Sequence, residues 1–488
     1  MQIRLENIGI VKDSIIALDG LTVVTGKNNS GKTTVGKTLY ALLDAVCNLQ
    51  QKAKNDRKYY IRKQLETVES TLEAFRYMHM RVRRTDSGLS IFNNYPSLKI
   101  FLGRDYRREF STEDIEKFAH DLAAELAAFD VEELNENEVG REPLYYQRKS
   151  LTKTDGDSAS IASILDTQRN SALMLLEQLF ADLDKDMSLI DYARESINQT
   201  LRVEFSNQIQ PVRSSVPYSK IELSDVDSTF FNITLADNNI VNDGVPAFFS
   251  SPYRKVYLVD DPFVLDDISN WRMYRGFEIP ETETILNPNR IYSHNYKLRS
   301  VLRRGNDLSV FEQTVLDDSL KLVKAQIDQV IPGTFEFSSD GEYYVQNGMK
   351  LKISNLATGS KMFSIVKMLL EKGELDSSTM LILDEPEAHL HPMWQNAFAE
   401  IIVLLVKKLG VNILLTTHSP NFMLALDAYM RKYDIADITN FYQTDVLEDN
   451  FVHYNCVNND MGKIYQDFLQ YLSEVKMLRN SYLNSIGE

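Results

Sequence analysis

The sequence predicts an α/β protein whose sheet is interrupted by a long, mostly helical insertion. Three observations lead there. A β-branched run, Leu21–Thr25, passes through a glycine-bounded turn straight into a helical pattern at Val35, Leu39, Leu42, Leu43 and Val46. Beyond Gly333 and up to about residue 443, apolar strands alternate with helical stretches, as in an α/β sheet. Between these parts, residues 52–203 are rich in Glu, Lys, Arg, Ala and Leu with apolar positions three and four apart.

In chain order, Ile3 and Leu5 alternate with polar neighbours and read as a first strand, before the Leu21–Thr25 strand and its helix. Ser111–Asp114 resembles a helix cap ahead of Ile115, Phe118 and Leu122, and Leu165–Ile197 is again helical in spacing. No heptad run is sustained, so a long coiled-coil arm is not expected. Strands return at Phe230–Leu235 and Lys255–Val259, and a helical stretch covers roughly 294–329. The last segment places Ile464, Phe468, Leu472, Val475 and Leu478 on one helix face, equally suited to packing, self-association or a partner. The chain thus divides into 1–51, an insertion 52–203, a β segment 204–262, a helical connector 263–332, a second α/β lobe 333–443 and a helical tail 444–488.

With 43% hydrophobic and 25% charged residues, the composition supports a substantial core and argues against wholesale disorder. The formal net charge of −16 opposes non-specific adhesion to nucleic acid. Arg81, Arg83 and Arg84, then Arg104, Arg107 and Arg108, then Arg303 and Arg304, form small clusters better read as solvated or ion-paired than as a DNA groove. Two distant cysteines, Cys47 and Cys456, make neither a disulfide framework nor a metal motif and fit a reducing cytosol. Neither a signal peptide nor a bilayer-length apolar run is seen, so a soluble cytoplasmic protein without membrane partners is expected.

The chemistry centres on Gly26, Gly31, Lys32 and Thr33, which match G-x-x-x-x-G-K-[ST] between a strand and a helix. Glycines let successive amides of Gly26, Asn28, Asn29, Ser30, Gly31 and Thr34 turn toward a phosphate, and the helix N-terminus adds partial positive charge. Lys32 would bridge β- and γ-phosphate oxygens, and the Thr33 hydroxyl would ligate Mg²⁺; ATP and Mg²⁺ are the cofactors implied. Met380–Asp384 is an apolar strand ending in the pair Asp384–Glu385. Alone, that pair would read as an acidic turn capping a helix. Beside a phosphate loop, Asp384 becomes the Mg²⁺ acid and Glu385 the group that polarises attacking water. His418 ends the strand Val411–Thr417, 34 residues after Asp384, where it would hydrogen-bond the γ-phosphate. A lone strand-end histidine is more often structural, but its spacing and Thr-Thr-His-Ser setting favour function. His389 and His391 lack thiolates or a third well-spaced ligand, against a metal site of their own.

Leu383–Pro392 together with Thr416–Pro420 resembles the ABC ATPases of the overlooked-lysogenization-defect and SMC-related class. The resemblance covers residues 1–50 and 350–425 and implies an ABC-ATPase fold with an N-terminal antiparallel β subdomain. It places Asn355–Lys361 at the ABC signature, so that Thr358, Gly359 and Ser360 would contact ATP held by the opposite subunit of a homodimer or higher oligomer. Ala357 stands where the family has a serine, which puts the hydrolysis rate in question. The family's Q-loop glutamine has no clear equivalent; Gln147 is a weak candidate. The finer likeness is to the ATPase subunit of Septu-type anti-phage systems, including retron-associated versions. It implies a separate nuclease, HNH or TOPRIM, and in some systems a retron reverse transcriptase with its RNA–DNA, with nucleic acid engaged indirectly. The chain carries no HNH-like cluster, and the 70 residues after His418 are too few for a TOPRIM domain. A RecF- or SMC-like DNA-repair clamp is the alternative. A transporter motor is disfavoured, since transport cassettes are compact whereas 352 residues separate Lys32 from Asp384.

Overall fold

The computed structural model describes residues 1–84, 91–104, 112–130, 161–185, 188–211, 218–226, 228–241, 244, 251–266, 293–303, 318–338, 341–458, 460, 462, 465 and 473–482. Ser111, Gln147, Arg107, Arg108, Arg304, Ile464, Phe468 and Leu472 lie outside them. By contacts the chain separates into one unit of 1–47 plus 190–488 and a second of 48–189.

The first unit opens with strands β1 (Gln2–Ile8), β2 (Val11–Ala17) and β3 (Leu21–Thr25), then helix α1 (Lys32–Val46). After the second unit, whose helices are α2 (Leu49–Thr71), α3 (Glu73–Arg84), α4 (Pro96–Gly103), α5 (Thr112–Ala128) and α6 (Ile161–Leu183), the chain returns as α7 (Leu189–Glu204). Strands β4 (Ser219–Asp225), β5 (Ser228–Ala236), β6 (Asn239–Ile240) and β7 (Lys255–Val259) follow, then helices α8 (His294–Arg303) and α9 (Asp318–Val330). Next come β8 (Thr334–Ser338), β9 (Gly341–Gln346), β10 (Met349–Lys352) and α10 (Thr358–Glu371). The final elements with strand or helix partners are β11 (Thr379–Asp384), α11 (Pro392–Leu409), β12 (Asn412–Thr417), α12 (Pro420–Lys432), β13 (Thr439–Val446) and β14 (Val452–Cys456).

Eleven described strands form one sheet in the order β6-β5-β4-β1-β2-β14-β13-β3-β12-β11-β7. The run β13-β3-β12-β11-β7 is parallel throughout, whereas β2-β1-β4-β5-β6 is antiparallel. The expected α/β class with an antiparallel β part near the N-terminus is therefore what the chain adopts. The parallel strands are buried on both faces, which is why they read as continuous apolar runs rather than alternating ones. Val23, Val259, Leu383 and Leu415 join the core formed with Phe363, Phe398 and Phe422. Their alternates Val24, Leu258, Ile382 and Leu414 are equally buried. Gly36 of α1 lies against Ile382, so a strand-to-helix approach this close depends on small residues.

Two local rules explain element ends in this lobe. Ser419 caps α12 by accepting from the Phe422 amide at 3.2 Å, with Pro420 in its first turn, and His391 caps α11 through Nδ1 from the Met393 amide at 3.3 Å. His391 thus has a structural task. Two stretches differ from expectation. The segment after Gly333 first forms a separate antiparallel sheet, β10-β9-β8, because Asn347 and Gly348 take the paired left-handed conformations of a tight hairpin. And the tail expected to be helical from 444 begins with strand: β13 runs to Val446 and β14 pairs with it, burying the alternating Val452 and Tyr454. Residues 473–482 are helical, with Val475 and Leu478 62% and 70% exposed, so these two do not pack into a described core.

The second unit has its own apolar centre, including Ile61, Leu65, Phe75, Phe101, Leu122 and Leu176. Arg57 grips Glu116 with two hydrogen bonds of 2.9 and 3.1 Å, and Arg104 pairs with the buried Glu69.

Lys367 is a fully buried ammonium in α10 that donates to Asp328, to the Ile331 carbonyl at 2.7 Å and to the Gly333 carbonyl at 2.6 Å. Lys367→Met strands both carbonyls in an apolar setting and should cost about 3 kcal/mol. Chemical denaturation of the two proteins checks this; equal midpoints would mean the three acceptors find other donors.

Candidate functional site

The glycine-rich turn from Gly26 to Thr33 joins β3 to α1 at the carboxyl edge of the parallel strands. A Cβ on Gly26 would fall 1.7 Å from the Thr444 hydroxyl, so only glycine fits beneath β13. That hydroxyl donates to Ser30 Oγ at 2.7 Å, and Ser30 donates on to the Lys27 carbonyl at 2.7 Å. Tyr454 of β14, wholly buried, donates to the Gly31 carbonyl at 2.6 Å, and burial pushes its phenol well above the usual range. Thr444 and Tyr454 were not foreseen. They sit more than 400 positions from the loop, and no local pattern marks them. Asn28 and Asn29 are exposed, Asn29 in a left-handed conformation, and the Thr34 amide donates to the Gly31 carbonyl at 3.0 Å.

Register brings the acids to this loop. β11 lies between β12 and β7, and Asp384 is opposite Thr416. Asp384 accepts from the Thr33 hydroxyl at 2.7 Å and from the Thr416 hydroxyl. Lys32 Nζ lies 3.2 Å from Glu385 Oε1 and donates to the carbonyls of Gly26 at 3.1 Å and Lys27 at 2.8 Å. Glu385 adopts φ 47°, an uncommon conformation for a non-glycine residue that costs on the order of 1–3 kcal/mol. Its amide is held by the Thr416 hydroxyl at 3.0 Å. The turn brings its carboxylate to both Lys32 and His418, whose Nδ1 stands 3.1 Å from Oε2 without forming an aligned hydrogen bond. Thr33, Lys32, Asp384, Glu385 and His418 are therefore one constellation.

Glu387, 1% exposed, anchors the next turn by accepting from the Thr417 hydroxyl at 2.5 Å and the His418 amide at 3.3 Å. Burial pushes its carboxyl up. Burial likewise raises Asp384, against the two hydroxyls that favour its ionised form; the charges of Glu385 and Asp260 add to the rise. An acid raised by desolvation and like charges, with a hydroxyl beside it, is an oxygen-only donor set that suits a hard divalent cation. No group of three His, Cys, Asp or Glu side chains among the described residues is arranged to hold a metal.

A cleft beside these acids is lined by Asp260, Pro262, Thr358, Gly359, Asp384 and Glu385, among others. Gly359 lies so close to the His389 carbonyl that a Cβ would sit 2.9 Å away. Thr358 and Gly359 thus meet the segment following the acids within one chain, while Ser360 is not in the cleft lining. Ala357 occupies the cap position of α10 without a side-chain hydrogen bond.

Asp260 was missed. The signal was present: β7, like β11, is an apolar strand ending in two carboxylates, Asp260 and Asp261. Asp260 Oδ1 is 2.7 Å from His294 Nε2, and His294 Nδ1 is 2.7 Å from Glu204 Oε2. Burial works against an imidazolium here, but the hydrogen bonds and charges of both carboxylates prevail, raising His294 to about 9. Its unfolded value is near 6.5, so its stabilisation is fully present below about pH 6.5 and fades as pH rises through about 9, a contribution on the order of 3 kcal/mol. Thermal unfolding between those limits should lose this increment in the native sequence and lack it in His294→Gln. Parallel pH profiles for the two would show that His294 is not charged in the fold.

Among solved structures the chain is similar to SMC head domains. One is bound to the C-winged helix domain of ScpA, with 9% identity over 93% of this chain and 96% of that one and a TM-score of 0.35. Another, from Thermotoga maritima, has 10% identity, 93% and 98% coverage and a TM-score of 0.32. A third, from Pyrococcus furiosus, has an extended coiled coil and is bound to the C-terminal domain of ScpA; identity is 10%, coverage 97% and 98%, and TM-score 0.37. These likenesses are remote. No curated protein matches the sequence. A family model described as "AAA domain, putative AbiEii toxin, Type IV TA system" matches residues 21–425 of the 488, from the strand before the phosphate loop into α12, and the chain belongs to that family.

Proposed function

We propose that the chain binds and hydrolyses Mg-ATP as the ATPase subunit of a prokaryotic anti-phage defence complex, and that nucleotide-dependent pairing of two copies regulates a separately encoded nuclease or toxic effector. The observation that carries the ATPase reading is the meeting of Lys32, Thr33, Asp384, Glu385 and His418 across the edge of adjoining parallel strands. Lys32 now faces the Gly26 and Lys27 carbonyls and Glu385, all acceptors; β- and γ-phosphate oxygens would compete for the same ammonium. Thr33 and Asp384 would hold Mg²⁺, which supplies charge neutralisation between the phosphates. Glu385 takes the proton of the attacking water, and His418, 3.1 Å from that carboxylate's second oxygen, would hydrogen-bond the γ-phosphate.

The family description names a toxin of a toxin–antitoxin system, which supports a role in a system directed against a cell rather than in transport. No helix among the described residues is long and apolar enough to cross a membrane. The second copy is part of the proposal: Asn355–Lys361 resembles the ABC signature, and α10's amides, which no side chain caps, are suited to an anion brought by another subunit.

Lys32→Ala should reduce Mg-ATP affinity by about 100-fold or more, because the cation facing the phosphates is gone. Unchanged affinity by calorimetry would refute the site. Glu385→Gln should keep ATP binding while slowing turnover by about 10²–10⁴-fold. It should also accumulate a nucleotide-bound dimer on size-exclusion chromatography; wild-type turnover in that variant would remove Glu385 from the reaction. Expression with and without the neighbouring gene during phage challenge tests the defence role. Protection by this chain alone, or tight salt-sensitive binding of DNA by it, would redirect the reading to a DNA-clamping ATPase.

A further inference from the structure

The nucleotide cleft has an acidic wall that the phosphate-loop chemistry does not use. Asp260 follows Val259, which pairs with Leu383, so Asp260 and Asp384 leave adjoining parallel strands at the same level. Both line the cleft, and the charge of Asp260 is felt at Asp384. Behind Asp260 stands His294, 7% exposed at its side chain, and behind that Glu204, 2% exposed; Asp260 is the exposed end of the row at 20%.

We propose that Asp260 is a third acidic group of the ATP site, accepting from water in the cleft beside Asp384 and Glu385, and that His294, anchored by Glu204, is the residue that positions it. This rests on the ATPase reading above and adds to it a residue no phosphate-binding motif contains.

The case is geometric. A carboxylate can accept about four hydrogen bonds, so the bonds from His294 and from its own backbone, those made among the described residues, leave Asp260 with further acceptor capacity. His294 is itself fixed on every side. Its amide donates to Glu204 Oε1 at 3.0 Å, and Tyr40 of α1 meets its ring edge-on at 5.9 Å. Lys297, one turn along α8, pairs with Asp44 of α1 and donates to the Val256 carbonyl of β7 at 3.1 Å. Lys37 donates to the Glu204 carbonyl at 3.3 Å. The helix that carries Lys32 and the strand that carries Asp260 are thereby tied to one histidine. Such a row is a poor choice for stability alone, since well-packed apolar residues usually do as well as buried ion pairs. It is a good choice for holding a carboxylate at one orientation, as outer partners of ligating groups do.

The experiment measures steady-state ATP hydrolysis, binding of a fluorescent ATP analogue and thermal unfolding for Asp260→Asn, Asp260→Glu, His294→Gln, Glu204→Gln and the Asp260→Asn/His294→Gln pair. Asp260→Asn and His294→Gln should each lower kcat by about 10- to 100-fold with KM within about 3-fold, and Asp260→Glu should recover part of the loss. Combining the two should be no worse than Asp260→Asn alone, because His294 acts through Asp260. Glu204→Gln, which keeps the shape of the row, should fall between wild type and His294→Gln, and it serves if His294→Gln does not fold. Variants that melt earlier yet retain wild-type kcat would overturn the proposal in favour of a structural ion row, and additive losses would overturn the positioning role. Wild-type protein that neither binds nor hydrolyses ATP, or a Lys32→Ala variant that binds it normally, would instead defeat the underlying ATPase reading.

Discussion

The contact on which the rest of the molecule depends is the closure of Lys32 and Thr33 onto Glu385 and Asp384. Lys32 is 5% exposed, and an ammonium so deep is tolerated only when acceptors surround it, here two loop carbonyls and a carboxylate. Removing any one partner leaves a desolvated charge. This makes the cluster demanding: an incoming polyanion would have to replace the Gly26 and Lys27 carbonyls and Glu385 at the ammonium.

That closure is a property of strand order before it is one of side chains. β3 and β11 are not neighbours; β12 lies between them, and its Thr416 and Thr417 supply the hydroxyls that span the gap. Thr416 hydrogen-bonds both Asp384 and the Glu385 amide, while Thr417 fixes Glu387. Two adjacent threonines at the end of a buried strand thus set the turn after β11 and, through Glu387, the backbone of His418. On the other flank β13 and β14 press Thr444 and Tyr454 onto the loop. A sheet of purely apolar strand ends would present the same residues without holding them.

How much of this could be read from the sequence follows from how local each cause is. The loop and α1 were legible because glycines, lysine and threonine act within eight consecutive residues. The β11 acids were legible because four buried apolar residues, Met380 to Leu383, precede them and a phosphate loop gave them meaning. Asp260 carries the same signature, but Pro262 follows closely and makes Asp260–Asp261 look like an ordinary turn. His294 starts a helix flanked by no motif, and its significance lies in residues 34 and 90 positions away. Thr444 and Tyr454 were invisible for the same reason: a brace across a sheet is set by topology. Strand β14 was lost to a helical reading because its alternation spans only five residues, too short to contest the 3.6-residue period beyond it.

Ala357 shows what one missing oxygen does to the balance of such a site. A serine there would cap α10 and occupy its first amides; alanine leaves them without a side-chain acceptor while Thr358 and Gly359 face the cleft. The helix N-terminus then carries its partial positive charge toward the cleft with the Thr358 hydroxyl, but none at the cap position, beside it. Attraction for an anion survives that loss, because amides and the helix dipole supply it, but orientation suffers, because a hydroxyl is what selects one phosphate oxygen over another. In this reading the burden of geometry moves to the opposite wall, where Thr416 holds both Asp384 and the Glu385 amide. Under the proposed function, a site built this way would bind nucleotide more readily than it turns it over, which would suit a subunit whose bound state, rather than whose turnover, is the signal.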